Sequence, residues 1–211
     1  MFKYQGESRM SGKRETKRGD LRQRLIMAAR DRIAAEGLAS LRARDVTQDA
    51  GCALGGLYTV FRDLDDLVLH VNASTLDRLE ADLVAALSPE ADPARQLRIL
   101  AHGYLAFALA HRNLWAALFE HKVSDGVELP AGHLDKHMFL IQFIARPLAI
   151  LNPGLGEEDL RIRALTLFSA VHGIISISLE GRFVGIPSAR LEAELDAFVA
   201  LLAAGSATAG A

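Results

Sequence analysis

A single cysteine, Cys52, serves the whole chain, so no internal disulfide can form and nothing directs the protein to an oxidising compartment. The opening Met1-Phe2-Lys3-Tyr4-Gln5 lacks the apolar core of a signal peptide. The longest uncharged run of the C-terminal half, Ala164 to Leu179 with His172 counted as neutral, is 16 residues. It falls short of the ~20 apolar residues that span a bilayer. Together these absences predict a cytoplasmic protein. Gly-x-Ser-x-Gly, His-Glu-x-x-His and a phosphate-binding glycine loop are also missing, which counts against the common hydrolases, zinc proteases and nucleotide enzymes. His133 and His137 stand four apart and share a helix face, but no cysteine or obvious carboxylate joins them, so neither a metal nor another cofactor is expected. No segment sustains period-two alternation and no internal repeat occurs. With half its residues apolar, the chain reads as globular and all-α.

What is present is unevenly distributed. Residues 1–62 carry 13 Lys and Arg against 7 Asp and Glu, a balance of +6, whereas residues 63–211 carry 11 against 19, a balance of −8. A basic first third on an otherwise acidic chain favours a polyanionic partner for that third alone. Residues 1–19 read as a basic flexible arm. Helices are predicted over about 20–36, capped by Asp20 and ended by Gly37 in a left-handed conformation, then over 42–50 and 53–61. A long helix follows over 63–87, with Asp63 as its cap. The break at Ser88-Pro89-Glu90-Ala91-Asp92-Pro93 starts a helix over 93–111, capped by Asp92. A short helix over 114–119, capped by Asn113, precedes a loop over 122–132. Further helices cover 133–150, kinked at Pro147, 157–182 and 188–203. Residues 205–211 read as a disordered tail. The domain expectation is a first domain over 20–66 and a second over 67–204.

The segment Ala50-Gly51-Cys52-Ala53-Leu54-Gly55-Gly56-Leu57-Tyr58-Thr59-Val60-Phe61 has the spacing of a turn, at Gly51, followed by a helix. Leu57 and Phe61 are four apart and share one face, which anchors the helix to a core. Tyr58 and Thr59 then point away, as a helix entering a major groove requires. The segment resembles the pattern A-G-V-S-x-G-x-L-Y-x-H-F of TetR-type one-component regulators. Asp45-Val46-Thr47 stands where that family has D-I-A, Gly37 follows the first helix as the family's glycine does, and Asp66-Leu67 opens the fourth helix. Ala53 replaces the usual Ser, Leu54 a frequent Arg or Lys, Val60 the usual His, and Leu64 the usual Lys. Phe168-Ser169-Ala170-Val171-His172-Gly173 resembles the W-x-x-x-H-G signature of one C-terminal class, with Phe in place of Trp.

The resemblance implies a homodimeric transcriptional regulator, a repressor, that binds palindromic operator DNA and is released by a small effector. It implies that Ala53, Leu54, Gly55 and Thr59 face the groove and that Tyr58 meets a phosphate. Arg42, Arg44 and Arg62 are the nearby cations for backbone contact. Gly55 and Gly56 each cost ~1 kcal/mol of helix propensity, which fits a close approach of backbone to DNA. The expected effector chamber uses His102, Phe107, His111, Trp115, Phe119, Phe139, Phe143, Phe168 and His172, aromatics with a few polar groups, and so suits an apolar or amphipathic molecule. The helix over 157–182 is apolar on most sides and needs cover beyond one core. Ser169, Gly173, Ser176, Leu195, Phe198 and Leu202 are the expected dimer contacts. Two other classes stay open from the residues alone: a small all-α enzyme, and a structural DNA-binding protein without an effector.

Overall fold

The computed structural model describes residues 4–88, 90–122, 133–181 and 184–208, with side chains described at 15–88, 90–122, 136, 138–181 and 184–203. Its described residues form nine α-helices: α1 (Tyr4–Glu36), α2 (Ala43–Asp49), α3 (Leu54–Tyr58), α4 (Leu64–Ala86), α5 (Pro93–Ala110), α6 (Arg112–Glu120), α7 (His133–Leu151), α8 (Glu157–Leu179) and α9 (Ser188–Thr208). One 3₁₀ turn, Leu38–Ser40, lies between α1 and α2.

The chain divides into two units. The first holds α1–α3, α4 through Thr75, and α6. The second holds the rest of α4, α5 and α7–α9. This boundary falls inside α4 rather than at residue 66, because the first turns of α4 belong to the head's core. Leu67, Val68 and Val71 join Leu25, Ala29, Ile33, Val46, Leu57, Phe61 and Ala117 in one buried cluster. Ala117 brings α6 into that cluster. Asn113 ties α6 to α1, its side-chain amide donating to the carbonyl of Ala34 at 2.9 Å. Asn113 therefore joins two helices instead of capping α6, which already begins at Arg112.

Other ends follow their sequence signals. Asp63 accepts from the backbone N–H of Asp66 at 2.7 Å, and Asp92 from that of Arg95 at 2.9 Å with Pro93 in the first turn of α5. Gly37 has φ 80° and ψ 166°, so it leaves the helix through positive φ but not in the left-handed helical well. α1 begins at Tyr4 instead of Asp20. No proline interrupts residues 4–19, and Lys, Arg, Glu, Gln and Met are good helix formers, so the basic segment continues the helix. α9 runs to Thr208, past the expected end at 203, and residues 209–211 lie outside the described residues. So do most of the predicted loop at 122–132 and the side chains of His133 and His137. Pro147 sits inside α7, which is continuous through it.

In the second unit α5 packs on α7 and α9, and α8 packs on α7 and α9. Leu97, Leu100, Tyr104, Leu140, Leu167, Val171, Ile175, Leu191, Leu195 and Val199 are buried between them. α8 is 23 residues long, and an 18-residue window of mean hydropathy 1.6 is only 22% buried. By length and composition it reaches the threshold of a membrane span, which the uncharged run alone did not.

Candidate functional site

The turn between α2 and α3 is closed by Gly51 at φ 65°. The guanidinium of Arg24 donates to the carbonyl of Ala50 at 2.6 Å and fixes this turn to α1. α3 itself is short. Only Leu54–Tyr58 is α-helical, and the chain from Thr59 to Phe61 turns more tightly, with Thr59 N–H on Gly56 O and Val60 N–H on Leu57 O. The two glycines weaken propensity here, and the helix persists because its inner face is held: Leu57 is 0% and Phe61 3% exposed. Opposite them Leu54 is 41% and Tyr58 57% exposed, and Ala53, Gly55 and Thr59 are exposed as well.

The glycine pair separates into two roles. A Cβ on Gly55 would meet open space, whereas one on Gly56 would lie 3.2 Å from Cys52 Sγ and 3.4 Å from its Cβ. Gly56 thus serves the packing of α3 on its own turn. Cys52 is the other side of that contact.

The polar residues expected to meet DNA are already partly engaged. The hydroxyl of Thr59 donates to Gly56 O at 2.7 Å, which leaves its oxygen as an acceptor. Arg42 donates to Ala39 O and Leu41 O, both at 2.9 Å. Arg62 faces Asp66 across 3.6 Å. Arg44 and Tyr58 are exposed. Behind this surface Arg22 bonds His70 at 2.8 Å and lies over the Phe61 ring at 5.4 Å. Burial, and next the Arg22 charge, hold His70 below the ordinary imidazole range.

Between its helices the second unit has a partly open apolar cavity of about 30 Å³. Its walls come from five helices and include Leu83, Leu97, Tyr104, Leu140, Phe168 and Val171. Phe168 is the one expected effector residue on the wall. His172 stands directly behind it: its ring stacks on Phe168 at 5.8 Å, and its Nδ1 is 3.0 Å from the Tyr104 hydroxyl. Burial holds His172 below the usual imidazole range, so a neutral ring shares this hydrogen bond with the Tyr104 hydroxyl. Sequence reasoning did not select Tyr104 for the site. Its signal was the apolar stripe Leu97, Leu100, Ala101, Tyr104, Ala108 on α5, where it is the polar member.

The remaining candidates lie elsewhere. His102 faces an open charged cleft of the second unit, with Nε2 3.0 Å from Asp196 and Nδ1 3.2 Å from Glu192. Arg98 holds the same Asp196 through two bonds of 2.7 and 2.8 Å. His102 could not be told from a chamber residue by spacing, because α9 brings the carboxylates from 90 residues away. Phe107 packs on His111 at 4.8 Å, and Phe139 on Phe143 at 5.8 Å, away from the cavity wall. Trp115 and Phe119 pair at 5.7 Å on α6 and so belong to the first unit.

Of the expected dimer contacts, Leu195 is 0% exposed and belongs to the chain's own core: its stripe with Leu191 and Val199 faces inward. Ser169 is exposed, Gly173, Ser176 and Phe198 are half-buried, and Leu202 is exposed. Ile162, Ile177 and Leu201, which the sequence reading passed over, add exposed apolar surface on the same two helices.

Residues 97–202, half of the chain, match the family described as tetracyclin repressor-like, C-terminal domain. The chain belongs to the TetR family of transcriptional regulators. A protein of unknown function from Rhodococcus sp. RHA1 is 25% identical, with 88% of this chain and 94% of that chain covered and a TM-score of 0.69. RolR, solved in complex with its ligand resorcinol, is 20% identical over 92% of this chain and 96% of that one, with a TM-score of 0.65. A TetR-like transcriptional regulator from Rhodococcus sp. RHA1 is 20% identical over 88% and 96%, with a TM-score of 0.62. These two lower likenesses show a shared fold. No curated protein matches in sequence. TetR membership makes the chain a regulator and not an enzyme, and it implies DNA as a partner.

Proposed function

We propose that this TetR regulator is a homodimeric repressor of the cytoplasm. Its α2–α3 surface reads a palindromic operator, and a small apolar or amphipathic effector in the second unit releases it. The observation that carries the reading is the asymmetry of α3, buried at Leu57 and Phe61 and open at Leu54, Tyr58 and Thr59, on a basic first third. Leu54 suits a thymine methyl and Thr59 an acceptor's role toward a base edge; Tyr58, Arg44 and the basic turns at the start of α1 suit phosphates. The residues 168–173 support membership in the W-x-x-x-H-G class.

The apolar outer surface of α8 and α9 supports the dimer, with Ser169, Gly173, Ser176, Phe198 and Leu202 as contacts alongside Ile162, Ile177 and Leu201. A second copy covers this surface as a membrane otherwise would. Phe198→Asp would bury an unpaired charge there and give monomers. Unchanged dimer mass in sedimentation would move the interface elsewhere.

The effector reading rests on the cavity. Its free space is too small for a ring, so an occupant must displace walls. One wall is Leu83 of α4, so an occupant that displaces it pushes on α4, whose residues are divided between the two units. The coupling is bounded by the effector's preference for the displaced state. Genomic fragments captured by the protein give the operator, and resorcinol, because RolR binds it, is the first effector to try against that operator. Capture with no sequence preference would overturn the reading.

A further inference from the structure

We infer that protonation of His70 breaks its contact with Arg22 behind α3 and so weakens DNA binding as pH falls. The inference rests on the reading of α3 as the helix that meets DNA and adds its regulation by protons.

His70 lies on the part of α4 that belongs to the first unit, with its side chain 23% exposed. From α1, Nη2 of Arg22 lies 3.0 Å from its Nδ1 and 2.8 Å from its Nε2. From the segment after α3, the Phe61 ring is 5.4 Å away and tilted by 52°. Arg62 of that segment and Asp66, one turn earlier on α4, complete the charged set, with Asp66 Oδ1 3.8 Å from Nε2. A guanidinium has no lone pair and can only donate. The ring must therefore accept. Arg22 reaches both nitrogens, so either neutral tautomer serves. An imidazolium carries a proton on each nitrogen and can accept at neither. The Arg22–His70 bond exists only while the ring is neutral, and burial together with the Arg22 charge favours that form.

Protonation sets two like charges in contact and leaves Asp66 as the nearby carboxylate for the ring. Both consequences reach the end of α3. Arg22 lies over the Phe61 ring at 5.4 Å, and Phe61, 3% exposed, is an anchor of α3. Asp66 accepts from the backbone N–H of Arg62 at 3.0 Å. Driving Arg22 off His70 uncovers Phe61, and drawing the ring to Asp66 competes with the hold on Arg62. α3 is five residues long with two glycines, so it has little stability of its own with which to resist.

Fluorescence anisotropy of a labelled genomic fragment captured by the full-length protein gives the affinity at about pH 7.5 and about pH 5.5, on either side of the ordinary imidazole range. For the wild type the dissociation constant should rise about tenfold between the two, the worth of one hydrogen bond. His70→Gln keeps an acceptor for Arg22 and takes no proton in this range, so its ratio should be about one. Arg22→Met removes the cation that protonation expels, and its ratio should also be about one. Equal ratios in the wild type and His70→Gln overturn the inference, because every other histidine is common to both. NMR titration of the His70 ring needs no DNA. Its midpoint should lie below 6.5 in the wild type and rise in Arg22→Met, and the Phe61 ring signals should follow the same midpoint. A midpoint that Arg22→Met leaves unmoved, or Phe61 signals that do not follow it, overturns the inference. If no genomic fragment binds at either pH, the reading of α3 fails, while a Phe61 response at the His70 midpoint still upholds the proton-operated contact.

Discussion

The two units of the molecule use the same apolar residue types to opposite ends. In the first, Leu25, Ala29, Ile33, Val46 and Leu57 are all 0% exposed and form one buried cluster that holds α3. In the second, helices of similar composition stop short of full packing and leave a void walled by Leu97, Leu140 and Phe168. A tightly packed unit transmits position, because a side chain cannot move without moving its neighbours. An incompletely packed one can accept a guest. A regulator needs both, and here they are divided between the units that α4 joins by sequence.

The sharpest break of this comparison is Leu57→Ala. Leu57 alone anchors the middle of a five-residue helix that has two glycines and little stability of its own. The truncation should cost about 2–5 kcal/mol in urea unfolding and abolish DNA binding. A cost near zero would mean that α3 is held by something other than its buried face.

Next in size is a matched pair of enlargements. Ala29→Leu adds bulk where the first unit is closed and should cost about 1–3 kcal/mol. Ala101→Leu adds the same bulk at the cavity wall, where space exists, and should be close to neutral while blocking the effector. Equal destabilisation of the two would show that the cavity is no looser than the head.

The pH dependence comes after these. Burial holds both His70, aided by Arg22, and His172 below the usual value of 6.5, so the unfolded chain binds protons that the folded chain refuses. Their contribution to stability is complete above pH 6.5 and is lost as pH falls below it. His172→Gln should flatten the fall in urea midpoint between about pH 6.5 and 5. An unchanged slope would mean that His172 is not kept neutral.

The head was legible in the sequence because its signals are local. Gly51, Leu57 and Phe61 lie within eleven residues, and their spacing alone sets turn, helix and buried face. The cavity was legible only in part, because its walls meet across the fold. Tyr104 and His172 are 68 residues apart, and neither α5 nor α8 alone says that they touch. Aromatics were a poor guide: Trp115 and Phe119 fell to the first unit, and Phe107, Phe139 and Phe143 to ordinary packing, whereas five leucines and only two aromatics, Tyr104 and Phe168, line the void. His102 misled for the same reason, since only α9 reveals the carboxylates that claim it. Leu195 was misassigned because periodicity defines an apolar stripe but not which of two partners covers it.

The smallest effects test how the exposed side of α3 divides its work. Tyr58→Phe deletes one hydroxyl and keeps the ring, so a lost phosphate bond should weaken binding to every DNA alike, by about 0.5–1.5 kcal/mol. Leu54→Ala deletes apolar surface that is 41% exposed in the free protein. It should cost on the order of 1 kcal/mol on the operator and nothing on random sequence, because only a base edge offers it a methyl group. Competition titrations with the operator and a scrambled duplex at one salt concentration separate the two, since phosphate affinity shifts with salt. Equal loss on both duplexes for Leu54→Ala would move Leu54 from reading bases to supporting the helix. Specificity would then have to come from Thr59 and Arg44.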